Sequence, residues 1–188
     1  MDEQYLDRLL RRTLGGSYLT LEVVHYVMTE YVRPEARCRV VVTLRRDGHQ
    51  EAVEGQGVGF VEAAYRGLVD HYGRDFACLN RVGFVGFGVD GRMETSRDLK
   101  GLDAFAEVKV GVRSPGGERL DFAAQARSTL AAALGALVRV VERFANAEQA
   151  VRTLRAEADT ALRRGEVDVL ATRRSELATL WPLTGALA

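Results

Sequence analysis

The chain has 188 residues, 47% hydrophobic and 28% charged, and its 26 Lys plus Arg balance 26 Asp plus Glu for a formal net charge of zero. That length fits one domain with an extension or two small domains, with enough chain to bury a core. Neutrality gives no general pull toward nucleic acid or an anionic membrane, and no apolar run approaches the roughly 20 residues of a bilayer span. The start, Met1-Asp2-Glu3-Gln4, is acidic and lacks an apolar segment, which argues against a signal peptide and for a cytoplasmic protein. Cys38 and Cys78 lack metal-ligand spacing and read as buried free thiols.

Residues 2–13 predict a short amphipathic helix with Tyr5, Leu6, Leu9 and Leu10 on one side, ended by Gly15-Gly16. Leu19, Leu21, Val23 and Val27 then predict one face of a strand, with His25 in the same register as a core or interface histidine. Residues 36–45 alternate, with Ala36, Cys38, Val40, Val42 and Leu44 inward and Arg37, Arg39, Thr43 and Arg45 outward. Asp47-Gly48 signals a hairpin turn into a short third strand. Val61, Tyr65, Leu68, Val69 and Tyr72 keep helical spacing, with Gly73 placed to cap the end.

The pattern repeats. Residues 77–89 and 104–113 read as strands, and the glycines Gly83, Gly86 and Gly88 mark close packing or a bulge in the first of them. Ser114-Pro115-Gly116-Gly117 is a tight turn, and residues 118–124 pair back. Leu130, Leu134, Leu137, Val141 and Phe144 then predict a helix. The expected fold class is therefore α+β: two βββα units, about 17–74 and 75–146, in pseudo-twofold arrangement. They follow an N-terminal helix over 1–16 and precede a C-terminal helical hairpin over 147–188. In that hairpin Val151, Leu154, Ala158 and Leu162 form a thin stripe, Gly165 interrupts, and a second helix through Leu177, Leu180 and Trp181 is stopped by Pro182. One helix covers only part of a three-stranded sheet, so two units placed together, or two copies, bury more.

Two segments carry a family likeness. The first is Gly55-Gln56-Gly57-Val58-Gly59-Phe60-Val61-Glu62-Ala63-Ala64, a Gly-rich turn into a helix. The second is Gly101, Asp103, Ala104, Glu107, Val108 and Val110, a turn feeding a strand. In order and spacing they resemble the C-terminal regulatory, allosteric and dimerisation domain of 2-isopropylmalate synthase and citramalate synthase, over roughly residues 17–140 and without the catalytic barrel. Glu62 stands for that family's usual Asp and Phe60 for a usual Pro. Asp121 matches a second-unit Asp, while Gln125-Ala126 replaces an Ala-Ser pair. The resemblance implies a homodimer and a leucine- or isoleucine-like effector held between the units, with Gly57, Gly59, Val61, Gly101, Asp103, Ala104 and Asp121 as the effector-binding residues.

The chemistry of such a site is plain. Backbone N–H groups at a helix start hold a carboxylate, a side-chain carboxylate takes an ammonium, and an apolar cleft selects a branched side chain. The glycines serve either that purpose or only a tight strand-to-helix turn. No catalytic constellation stands in the sequence: His25, His49 and His71 are scattered, no metal set has ligand spacing, and no cofactor fingerprint is present. The expected function is a non-catalytic regulatory or ligand-binding module, acting through dimerisation or partner binding. The alternative is a protein-interaction scaffold using residues 147–188. A double-stranded-RNA-binding reading shares the turn-helix order, but residues 58–66 carry no lysine, which argues against it.

Overall fold

A computed structural model of the chain describes residues 3–33, 36–92 and 105–185. Helix α1 (Glu3–Leu14) buries Leu6, Leu9, Leu10 and Leu14, one stripe at three-and-four spacing. Tyr5 was expected on that stripe; it sits about 100° round the helix from Leu6 and is exposed. After a 3-10 turn (Gly15–Ser17), residues Tyr18 to Leu21 run extended along α3 (Thr129–Arg164). Leu19 N donates to Asn146 Oδ1 at 2.7 Å, Asn146 Nδ2 donates back to Leu19 O at 2.9 Å, and Leu21 N donates to Glu142 Oε1 at 2.6 Å. Buried Asn146 and half-buried Glu142 thus satisfy backbone groups that no strand pairs. Leu19 and Leu21 are buried as expected but precede the strand.

Strands β1 (Glu22–Tyr31), β2 (Arg37–Arg46) and β3 (His49–Gly57) form an antiparallel meander in sequence order. Asp47 (φ 50°) and Gly48 (φ 81°) are both left-handed, which is what a two-residue turn needs to match strand twist. Cys38, Val40, Val42 and Leu44 are buried as predicted, whereas Ala36 lies outside the strand and is exposed. A register shift between Val23 and His25 turns the rest of β1 over. Tyr26 therefore points inward and meets Phe60 edge-to-face at 5.6 Å, Val27 is 57% exposed, and His25 is exposed beside Thr43. Val23, which precedes the bulge and lies opposite buried Leu44, packs against the core as expected, whereas the expected inward placement of His25 and Val27 is corrected by that one bulge.

Helix α2 (Phe60–Tyr72) crosses the inner face of β2 and β3. Gly73 ends it in a right-handed conformation (φ −67°), so its cap is not the left-handed one. Residues 77–81, expected as strand, form a 3-10 turn that buries Cys78 and Leu79. The second meander is β4 (Gly83–Arg92), β5 (Phe105–Arg113) and β6 (Arg119–Ala126). Its bulge lies between Phe84 and Gly86, while added Cβ atoms at Gly83 and Gly88 would meet open space or ordinary contact. Residues 114–117 close the β5–β6 hairpin, with Gly117 at φ 90°.

Ser128 caps α3 by accepting from Ala131 N, and Gly165 (φ 71°) ends it with Glu166 N donating back to Ala161 O. The helix has 36 residues and runs without a break through residue 147, where a separate extension was expected. Its second half stays buried through alanines 145, 147, 150, 158 and 161. Helix α4 (Val167–Thr184) folds back on α3 within the same chain, burying Leu180 and Leu183. Pro182 does not stop it; the proline lies in the last turn, where only one helical hydrogen bond is forfeited. No described helix is long and apolar enough to cross a membrane.

The architecture is thus α+β: two three-stranded antiparallel sheets, each followed by a helix, with a C-terminal helix added. The units engage crosswise. Tyr65 of α2 donates to Val82 O at 2.8 Å and its ring lies 5.8 Å from Phe84 of β4, while the start of β1 lines a groove with α3.

Candidate functional site

Three glycines of the first unit, Gly55, Gly57 and Gly67, are explained by helix–strand contact. An added Cβ at Gly55 would clash with Ala63 O and lie 2.6 Å from Gly67 N; one at Gly67 would lie 2.8 Å from the Glu54 carbonyl; one at Gly57 would lie 2.8 Å from Ala63 N. Helix α2 therefore packs backbone against backbone on β3. Gly59 caps α2 at φ −140°, an extended conformation open to any residue, with open space around it. The helix start already has an anion: Glu62 Oε2 accepts from Val58 N at 2.9 Å and Glu62 also pairs with Arg66. Val61 is half-buried against the core.

Asp121 lies on β6 in the other unit, exposed, with Arg119 at 3.5 Å. It lines two adjoining clefts that neither Gly57, Gly59 nor Val61 lines. The expected first-unit and second-unit residues are therefore not brought together around these clefts, and Gly101, Asp103 and Ala104 lie outside the described residues.

The clefts themselves run between α1, β6 and α3, with volumes of about 420 and 440 Å3, and share Glu3, Asp121, Phe122 and Arg143. These sizes fall in the range of about 300–1,000 Å3 typical of small-molecule sites. Arg11 is held by Asp7 at 2.9 Å and stacks on Tyr18; Arg139 donates to Ala123 O; Glu142 serves Leu21 N, and burial raises its carboxyl above the usual range. Arg143 is different. Its side chain is 16% exposed, Nη2 reaches Glu3 at 3.3 Å, and Nη1 is buried without an acceptor among the described residues. A buried donor left unmade costs about 1–3 kcal/mol. Nothing in the sequence marks this arginine, because its partners come from elements far apart along the chain.

A second feature is a pair of half-covered sheet faces. Residues directly opposite on antiparallel strands share a face. Phe84, Phe87 and Val89 of β4 oppose Val112, Val110 and Val108, all fully buried, and Met28 of β1 opposes fully buried Val40. Yet Phe87 is 45% and Val89 47% exposed, and Met28 is 36% exposed. Helix α2 packs on β2 and β3 and helix α3 on β5 and β6, and among the described residues these apolar positions of the opposite edge strands, β1 and β4, stay partly exposed.

The titratable groups elsewhere are tied into structure. Cys78 N donates to Glu148 Oε2 at 2.7 Å, and Arg152 pairs with the same carboxylate. Burial pushes the Cys78 thiol up, and Glu148 adds to the effect; burial likewise raises Cys38, so neither favours a thiolate nucleophile. Glu51 gathers His71 and Tyr72. Among the described residues no three His, Cys, Asp or Glu converge to hold a metal. The chain matches no protein-family model and no curated protein sequence.

Proposed function

We propose that this chain is a non-catalytic regulatory module that works by self-association, two copies covering one another's bare sheet faces on β1 and β4. The observation that carries the reading is Phe87 and Val89: each stands in register with a fully buried valine, and each is nearly half exposed. Contiguous apolar surface of this kind is the usual mark of an interaction site. A stable interface removes about 1,200–2,000 Å2 of total surface, and the outer halves of two strands per copy can contribute to that. A branched-chain amino acid or a related small molecule regulates the assembly by binding one association state better than the other, as the resemblance to the synthase regulatory domains implies. Light scattering coupled to size exclusion tests the association: a mass of two chains at micromolar concentration supports it, and a single-chain mass at every concentration refutes it.

A scaffold reading draws on α4. Trp181 is exposed beside a small groove lined by Val151, Leu177 and Ala178, a place where a partner's side chain would seat.

A further inference from the structure

The cleft between α1, β6 and α3 contains a guanidinium with unused capacity. Among the described residues two buried side-chain donors lack a hydrogen-bonded acceptor, Arg143 Nη1 and Arg173 Nε. Arg173 Nε still lies 2.7 Å from Glu157 and is ion-paired. Arg143 Nη1 has no such neighbour among the described residues, and the pair its other nitrogen makes is with Glu3, whose side chain is 82% exposed. An ion pair that open is weak and readily displaced.

We propose that this cleft binds a small monocarboxylate with an apolar body. The carboxylate displaces Glu3 and accepts from both nitrogens of the Arg143 fork, the geometry for which a guanidinium is suited. The body lies along Leu6, Leu120, Phe122 and Leu183, the apolar part of the lining. Charge narrows the class. The same cleft carries Glu3, Glu118 and Asp121 against Arg119 and Arg143, a net negative rim that disfavours phosphate and other multiply charged anions. It favours a hydrogen-bond donor beside the carboxylate, which hydroxy acids and amino acids both supply. The inference rests on the reading of the chain as a small-molecule-responsive module, and it is independent of self-association.

Isothermal titration and thermal unfolding of the full chain test it, with isocaproate, α-hydroxyisocaproate, leucine, isoamylamine and inorganic phosphate as probes. All three carboxylates bind, the two α-substituted ones more tightly, and whichever of these is tighter identifies the source. Saturation raises the melting temperature by about 5 °C. Arg143→Gln lowers affinity about tenfold or more, and Arg143→Lys, a point charge without the fork, restores only part of it. Glu3→Gln, at an exposed position that leaves the fold intact, tightens binding several-fold by freeing the arginine. Failure of every carboxylate, equal binding of phosphate or of the amine, or unchanged affinity in Arg143→Gln or Glu3→Gln overturns the proposal. Binding by a chain that stays monomeric sustains the site and removes only the self-association reading.

Discussion

Gly55, Gly57 and Gly67 let a helix and a strand of the first unit touch through their backbones, and Gly59 one step away has no such neighbour. The contrast separates a packing role from a ligand role at single-residue resolution. Gly55→Ala forces a methyl group into the α2 backbone, which cannot yield as a flexible side chain would, and costs at least about 2 kcal/mol. Gly59→Ala meets open space in an extended conformation and costs less than about 1 kcal/mol, the loss of a better N-cap residue. Urea unfolding of both variants measures the difference; equal costs would show that the tight contact is not what glycine serves there. The same comparison made with an effector present reports on ligand: a turn that holds a carboxylate loses affinity in Gly59→Ala without losing stability. Glu62 makes that outcome unfavourable, since its own carboxylate already sits on Val58 N.

Elements in this fold are pinned to α3 by buried polar side chains, and the 3-10 turn Ala77–Arg81 is held by Glu148. Burial works to raise the Glu148 carboxyl, but the Cys78 N–H and Arg152 outweigh it and hold it below the usual carboxylate range. A carboxyl depressed in the folded state contributes stability at neutral pH, and that contribution fades as pH falls below the unfolded value of about 4.3 and through the folded one. Glu148→Gln should therefore cost about 2 kcal/mol at pH 7 and progressively less near pH 4 and below, read from paired denaturant curves. A cost that does not change with pH would mean the carboxylate charge is not what holds the turn. The same residues show what sequence can and cannot convey about elements. Cys38 to Leu44 and the Asp47-Gly48 turn were legible because alternation and turn chemistry are local. The turn at residues 77–81 was not, because Glu148 stands 70 residues away, and polar Asn146 and Glu148 gave no local sign of burial. The continuity of α3 past residue 147 was masked by alanines, which bury a helix face while reading as a weak stripe. The bulge after Val23 reversed a face assignment by one residue. Asp121 was named from the resemblance for a site between the units, not for the cleft that it lines, and Arg143 looked like any helix-surface arginine.

For the whole molecule the question is which surface of β1 and β4 a second copy would cover. Phe87 and Met28 belong to the inner faces, in register with buried valines, whereas Val27 points the other way from β1. A lysine on the inner face is desolvated if that face forms the interface, and a twofold dimer contains each substitution twice. Two central losses of about 2 kcal/mol each weaken association roughly a thousandfold. Phe87→Lys is expected to give single chains at concentrations where Val27→Lys still pairs, as measured by light scattering, with melting temperatures confirming that both remain folded. Salt separates the forces: association through apolar faces persists at high ionic strength, while association through the strand arginines weakens as screening shortens to a few ångström. If Val27→Lys and Phe87→Lys dissociate the dimer equally, the inner faces are not its contact, and pairing of the free strand edges takes their place as the explanation. If neither does, the exposed strands serve some partner other than a second copy, and Trp181 of α4 becomes the next surface to substitute.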